Sequence, residues 1–309
     1  MGFQDREYQR RLSFAQERNS LISLLAINLV IFVILMFIRA IYALQTQDSN
    51  QATINFDNNV VTWFSLPAAW NELAAKPWTI ISHMFTHVGL WHIIGNMLWL
   101  WMFGYILHDL TGNRKIIPIY LYGGLAGGLA FILAYNFLPA LLPDVSRQSA
   151  LGASAGVMAI AAAVTTLSPG YKVFTMLNGG IPVWIITLIY LVIDLAQAPL
   201  SNSGGHIAHL AGALAGFLFI FFFRKGYDLG AWMNQFFDWV SNLFNPDKPK
   251  KGKSIKEELF YQSPTKPFKK TPNITEQRID EILDKINQKG YDSLTDEEKD
   301  LLKRASKEK

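Results

Sequence analysis

Apolar residues fall in six blocks along the chain, at 21–44, 88–107, 116–138, 151–167, 182–200 and 207–223, with polar connections between them. Each block is close to the roughly 20 residues an α-helix needs to cross the hydrocarbon of a bilayer. The fourth is the shortest, and the fourth and sixth are rich in Gly and Ala. The pattern predicts an all-α membrane domain of six transmembrane helices over residues 20–224. The first block is longer than a signal-peptide core and follows a polar arm, residues 1–19, so it reads as an uncleaved anchor.

The pattern changes after Arg224. Leu229, Trp232, Met233, Phe236, Phe237, Val240, Leu243 and Phe244 recur at helical spacing, which predicts an amphipathic helix within 225–245 lying on the membrane surface. Residues 246–272 are rich in Lys and Pro and read as a flexible linker. Within 273–309, Ile279, Ile282, Leu283 and Ile286 form a helical stripe that Gly290 ends, and Thr295 with Glu298 matches a capping box opening a last short helix. This tail is expected to be a small helical hairpin that binds a partner, with no catalytic pattern in it.

Charge supports the division. Residues 20–224 hold 7 Lys/Arg and 6 Asp/Glu, and the other 104 residues hold the remaining 39 charges. A soluble core of that size could not cover its surface with so few. The 309 residues include no cysteine, which excludes disulfide scaffolds, thiol nucleophiles and Cys-ligated metal or iron–sulfur sites. The formal charge of +4 is too small an excess to suggest nucleic acid, and lysines near anionic lipid headgroups account for it better.

Lys and Arg also orient the spans. Arg6, Arg10, Arg11 and Arg18, then Arg114 and Lys115, Lys172, and Arg224 and Lys225 share one side, against Lys76 and Arg147 on the other. Both termini, and with them the C-terminal tail, are therefore expected in the cytoplasm. The uniformly short six-span core points to a bacterial inner membrane. Spans two, four and six then start near the outer face. The long connection 45–86 carries Trp63, Phe64, Leu66, Pro67, Trp70 and Trp78, so it is expected to be partly helical and to sit at the interface.

Small residues recur at four-residue spacing on span three (Gly124, Gly128), span four (Gly152, Gly156) and span six (Ala208, Gly212, Gly216). Such faces let membrane helices approach closely. Ser154 lies between the two glycines of span four, and His209 follows Ala208, both near outer helix ends. Close approach of these parallel helices would bring a hydroxyl and an imidazole within hydrogen-bond reach, the geometry of a serine nucleophile and its base. A lone serine in a span usually bonds back to its own helix, but a histidine there is costly and points to function. His206, one turn earlier, is an alternative base. His92 and Asn96 share one face of span two and could donate to an oxyanion together with the Ser154 backbone N–H. His83 and His87 could ligate zinc, but no HEXXH pattern or nearby glutamate accompanies them, and a role in bonding the long loop to the bundle is expected instead. No metal or cofactor is implied.

The elements GASAG at 152–156, AHLAGALAG at 208–216 and HMFTHVGLWHIIGN at 83–96 resemble the signatures of the rhomboid intramembrane serine proteases. The resemblance covers roughly residues 20–224. It implies a six-helix rhomboid-like bundle, Ser154 as nucleophile, His209 as general base, and His92 with Asn96 as the oxyanion hole. It also implies a Ser-His dyad, with no third carboxylate required, and substrates that are transmembrane helices cleaved near their outer ends. Ala155 stands where the family usually has glycine, and Met158 where many members place an aromatic. A catalytically inactive relative that binds and routes transmembrane helices is the alternative. A transporter would need ionisable residues along a path, and Asp194 is the only carboxylate well inside a span.

Overall fold

The computed structural model describes residues 19–176, 179–243 and 276–306. The four arginines of the N-terminal arm, Phe244 and the Lys/Pro-rich linker lie outside them. The chain divides into one unit ending at Asn245 and a second beginning at Pro246.

In the first unit, α1 (Ser20–Leu44) leads into a connection holding α2 (Ser49–Asn59), α3 (Trp70–Ala75) and α4 (Thr79–Ser82). Then come α5 (Leu90–Thr111), α6 (Ile116–Phe137), α7 (Ser154–Leu167), α8 (Val183–Gln197), α9 (Ser203–Arg224) and α10 (Ala231–Leu243). Helices α1, α5 and α9, and the run 113–137 that contains α6, are long and apolar enough to cross a membrane; α7, at 14 residues, and α8, at 15, are shorter. Local chemistry sets these ends. Asn19 caps α1 by accepting from the N–H groups of Leu21 and Ile22. Gly152, at φ +116°, cannot continue a helix backward from Ser154, so α7 starts three residues later than its apolar block. Helix α8 stops at Gln197, and Ala198 still donates its N–H to the Asp194 carbonyl as the C-cap just before Pro199.

The outward faces are apolar. Val30, Val33, Phe37, Leu98 and Leu195 are all more than half exposed, an arrangement that water would penalise and lipid does not. With the membrane-length helices, this makes the chain an integral membrane protein.

Helix α7 sits at the centre, and every residue from Ala155 to Val164 is buried. It packs against α5, α6, α8 and α9, and the tightest joints are made of glycine. A Cβ added at Gly212 would lie 2.2 Å from the Ala155 carbonyl oxygen, and one at Gly216 1.9 Å from that of Ala159. On α6 the glycines that meet α7 are Gly123 and Gly127, against Ala159 and Ala155. Gly124 and Gly128, the small pair read from the four-residue spacing, instead face the long connection, at Met84 and at Leu66 with His83. Gly152 likewise serves the turn before α7 rather than a helix face.

The connection is partly helical, as its length suggested, and it is tied down. Leu66–Pro67 (β1) pairs antiparallel with Ser149–Ala150 (β2), immediately before the serine turn. Asn136 on α6 donates to the Ala68 carbonyl at 2.7 Å, and the Tyr120 hydroxyl donates to that of Met84 at 2.6 Å. Trp63 and Trp78 stack with centroids 5.8 Å apart, and both are about half exposed. A second two-residue pair joins Lys172–Val173 (β3) to Ile181–Pro182 (β4) near the opposite end. There Lys115 pairs with Asp228, and α10 is held by Asn234 donating to the Arg114 carbonyl and Trp232 to the Tyr122 hydroxyl. Most of the apolar side chains of α10, among them Trp232, Phe236 and Trp239, remain exposed.

The second unit holds α11 (Glu276–Lys289) and α12 (Asp296–Ala305). Ile282, Leu294 and Leu301 are buried together, with Ile279, Ile286 and Leu302 against them. Leu283, expected in the stripe, is 45% exposed because it falls on the outer side of α11. The capping box is present: Thr295 Oγ1 accepts from the Glu298 N–H and Glu298 returns a bond to the Thr295 N–H. A hydrogen bond from Lys285 is the main cause holding the Glu298 carboxyl down at about 2.

Three outcomes follow from these contacts. Gly216→Val should push α9 off the α7 backbone and lower stability by about 1–3 kcal/mol, read as a lower thermal midpoint in detergent. Thr295→Ala should weaken hydrogen-exchange protection in α12 by about 1 kcal/mol. Because the Glu298 pKa is depressed, its contribution is full above the ordinary carboxylate range and fades only as pH falls toward 2, so α12 protection should be flat from neutral pH to about 5.

Candidate active site

The site is built on the N-terminus of α7. The first N–H groups of a helix have no partner within it. Here the loop engages the two amides just before the helix: Gly152 N–H donates to the His83 carbonyl at 2.8 Å, and Ala153 N–H donates to His87 Nε2 at 3.2 Å. The next amide, that of Ser154, heads α7. His83 and His87 therefore hold the long connection to the serine turn. Burial keeps the His87 imidazole down at about 3, so it is neutral and can accept that bond. His83 is anchored in turn by its Nδ1 on the Thr79 carbonyl at 2.8 Å.

Gly212 and Gly216 bring α9 against α7, and the start of α9 then lies beside Ser154. His209 Nε2 is 2.7 Å from Ser154 Oγ. His206 makes no such contact with the serine among the described hydrogen bonds. Both histidines turn their Nδ1 atoms to one carboxylate oxygen, Asp194 Oδ1 on α8, at 2.7 Å from His206 and 2.9 Å from His209. The Asp194 side chain is only 2% exposed. These three residues are the one grouping with metal-ligand chemistry among the described residues, but both Nδ1 atoms already lie at hydrogen-bond distance from the one carboxylate oxygen.

A cavity of about 380 Å³ opens beside the pair, lined by Ser154, His209, His92, His83 and Asn202 together with Phe131, Leu151 and small residues. His92 lies against the serine turn, since a Cβ at Gly152 would come within 2.7 Å of its ring. Asn96 shares that face of α5 but is buried, and one of its amide hydrogens goes to the His92 carbonyl at 2.9 Å. It is not among the residues lining the cavity.

Two groups at the site escaped the motif reading. Asp194 carried one signal, its isolation as a carboxylate inside an apolar helix. Tyr190, also on α8, sets its ring edge-on to His209 with centroids 6.4 Å apart, while Met158 is buried beside Tyr190. The aromatic neighbour of the imidazole thus comes from α8 rather than from the helix of the serine.

A serine and a histidine meeting inside an apolar helical bundle define an integral membrane protein with a hydroxyl–imidazole centre. Residues 74–226 match the model of the Rhomboid domain, and 268–308 match a family of unknown function, DUF6576. The chain is 25% identical over 234 residues to RHOMBOID-like protein 12, mitochondrial, of Arabidopsis thaliana, covering 73% of this chain and 64% of that one. It is 30% identical over 151 residues to Rhomboid protein 1, mitochondrial, of Saccharomyces cerevisiae, covering 48% and 42%. Over 161 residues it is 25% identical to Rhomboid protease GluP of Bacillus subtilis, covering 52% and 29%. The chain belongs to the rhomboid family. It spans less than two-thirds of the length of these relatives. They are mitochondrial as well as bacterial, so they give no support to a bacterial inner membrane in particular.

His87→Ala would leave the Ala153 N–H buried without an acceptor, at a cost of about 1–3 kcal/mol. The expected result is a lower thermal midpoint in detergent.

Proposed function

We propose that the chain is an intramembrane serine endopeptidase that cleaves transmembrane helices near their outer ends. The observation that carries this reading is the 2.7 Å contact between His209 Nε2 and Ser154 Oγ beside an open cavity. The bilayer supplies the second partner, and the substrate is a helical membrane protein. In this reading the helices α1 and α5–α9 are six spans. The end bearing Arg114, Lys115, Arg224 and Lys225 faces the cytoplasm or its equivalent, by the excess of positive charge there.

The reaction follows from the groups present. A substrate helix unwinds locally to offer a peptide carbonyl. Ser154 Oγ attacks the carbon as its proton passes to His209 Nε2, and the carbonyl electrons move onto oxygen. His209 then gives that proton to the leaving amine, and water repeats the sequence on the acyl-serine. The oxyanion is received by the Ser154 N–H at the head of α7 and by His92, which both border the cavity, with Asn96, buried off the cavity lining, as the expected third donor. Loss of one such donor typically costs about 3 kcal/mol. Cleavage at the cavity mouth places the cut near the helix end rather than at mid-membrane.

Ser154→Ala and His209→Ala in purified, reconstituted protein should each abolish cleavage of a single-span helical substrate, with folding judged by thermal melts. If the unaltered protein binds such helices but cuts none, and Ser154 takes no fluorophosphonate, the chain is instead an inactive rhomboid-like protein that binds and routes them.

A further inference from the structure

We infer that Asp194 is a positioning residue for this reaction, making the centre a Ser154–His209–Asp194 triad in which one carboxylate oxygen is shared with His206. The inference rests on the protease reading above and goes beyond a two-residue centre.

A carboxylate only accepts hydrogen bonds. Asp194 Oδ1 lies 2.9 Å from His209 Nδ1, so that nitrogen carries the proton and Nε2 is bare toward Ser154 Oγ at 2.7 Å. The carboxylate thereby selects the one imidazole tautomer that can accept from the serine. His206 Nδ1 at 2.7 Å is protonated by the same argument. Two N–H donors on a single oxygen fix the carboxylate from two directions of α9, while its other oxygen, Oδ2, is buried with no hydrogen-bond partner among the described residues. A 2% exposed carboxylate in an apolar helix is costly unless its donors are in place. Pairing it with two imidazoles one turn apart meets that cost where the chemistry needs it.

In the attack step the proton moves from Ser154 Oγ to His209 Nε2, leaving an imidazolium. Asp194 takes no proton. It stays anionic, 2.9 Å from the new positive ring, and stabilises it until the proton passes to the amine. The groups facing His209 are Asp194 and Tyr190 from α8, His206 from α9, Ser154 from α7 and His92 from α5. Asp194 is the only anion among them.

The test compares the unaltered protein, Asp194→Asn and Asp194→Glu in liposomes with a single-span substrate. Asp194→Asn should lower kcat on the order of 10²- to 10⁴-fold with KM little changed. It should also shift the acid limb of the kcat/KM profile to lower pH, because the imidazolium loses its counter-ion. Asp194→Glu should restore part of kcat and move the limb back. A purely structural carboxylate would leave the limb in place. A second measurement needs no variant at Asp194: ¹⁵N shifts of the His209 ring in unaltered protein should show Nδ1 protonated and Nε2 bare. An Nε2-protonated ring, or Asp194→Asn with unchanged kcat and limb, would overturn the inference. If the unaltered protein itself cuts nothing while the ring still has Nδ1 protonated, the protease reading fails and the positioning geometry stands.

Discussion

Where Gly212 and Gly216 of α9 lie against the carbonyls of Ala155 and Ala159, two helix backbones touch with no side chain between them, and on α6 Gly123 and Gly127 leave room for the methyl groups of Ala159 and Ala155. In lipid there is little hydrophobic gain from helix association, so close van der Waals contact of this kind carries the packing. The reach of a serine hydroxyl to an imidazole nitrogen on another helix is short and fixed. Separating α7 from α9 by the thickness of one methyl group would break it. The site geometry is therefore a consequence of residues that take no part in any chemistry.

The polar groups obey a second constraint. Inside a bilayer each N–H and carbonyl must be satisfied within the protein. The turn before α7 would otherwise leave amides open at membrane depth, and the long connection supplies their acceptors through His83 and His87. That connection is in turn fastened by β1–β2 pairing, by Asn136 and by Tyr120. Irregular backbone is tolerated here because it is stitched to α6 and to the turn that opens α7.

Much of this was legible in the residues. The apolar blocks marked the bundle helices because membrane spans are read from composition and length, both local properties. The spacing of small residues and the positions of Ser154 and His209 on parallel segments were enough to bring the two together. What was not legible depended on rotation about helix axes. Four-residue spacing marks Gly123 and Gly127 as well as it marks Gly124 and Gly128, and only the placement of the loop decides which pair meets α7. The same holds for Leu283, whose side of α11 is set by where Leu294 and Leu301 pack. Asp194 and Tyr190 were hidden for another reason: α8 is apolar nearly all round, so its sequence does not reveal which side faces the histidines.

The interior of α7 has one further consequence. Below Ser154 the helix runs through ten consecutive buried residues, Ala155 to Val164, before Thr165 and Thr166. The polar pocket at its head thus stands on a dry plug of Ala, Val, Ile and Met. Water drawn to the hydroxyl meets a blind end, so a polar site can be housed within the bundle without opening an ion leak that would discharge the potential across a membrane.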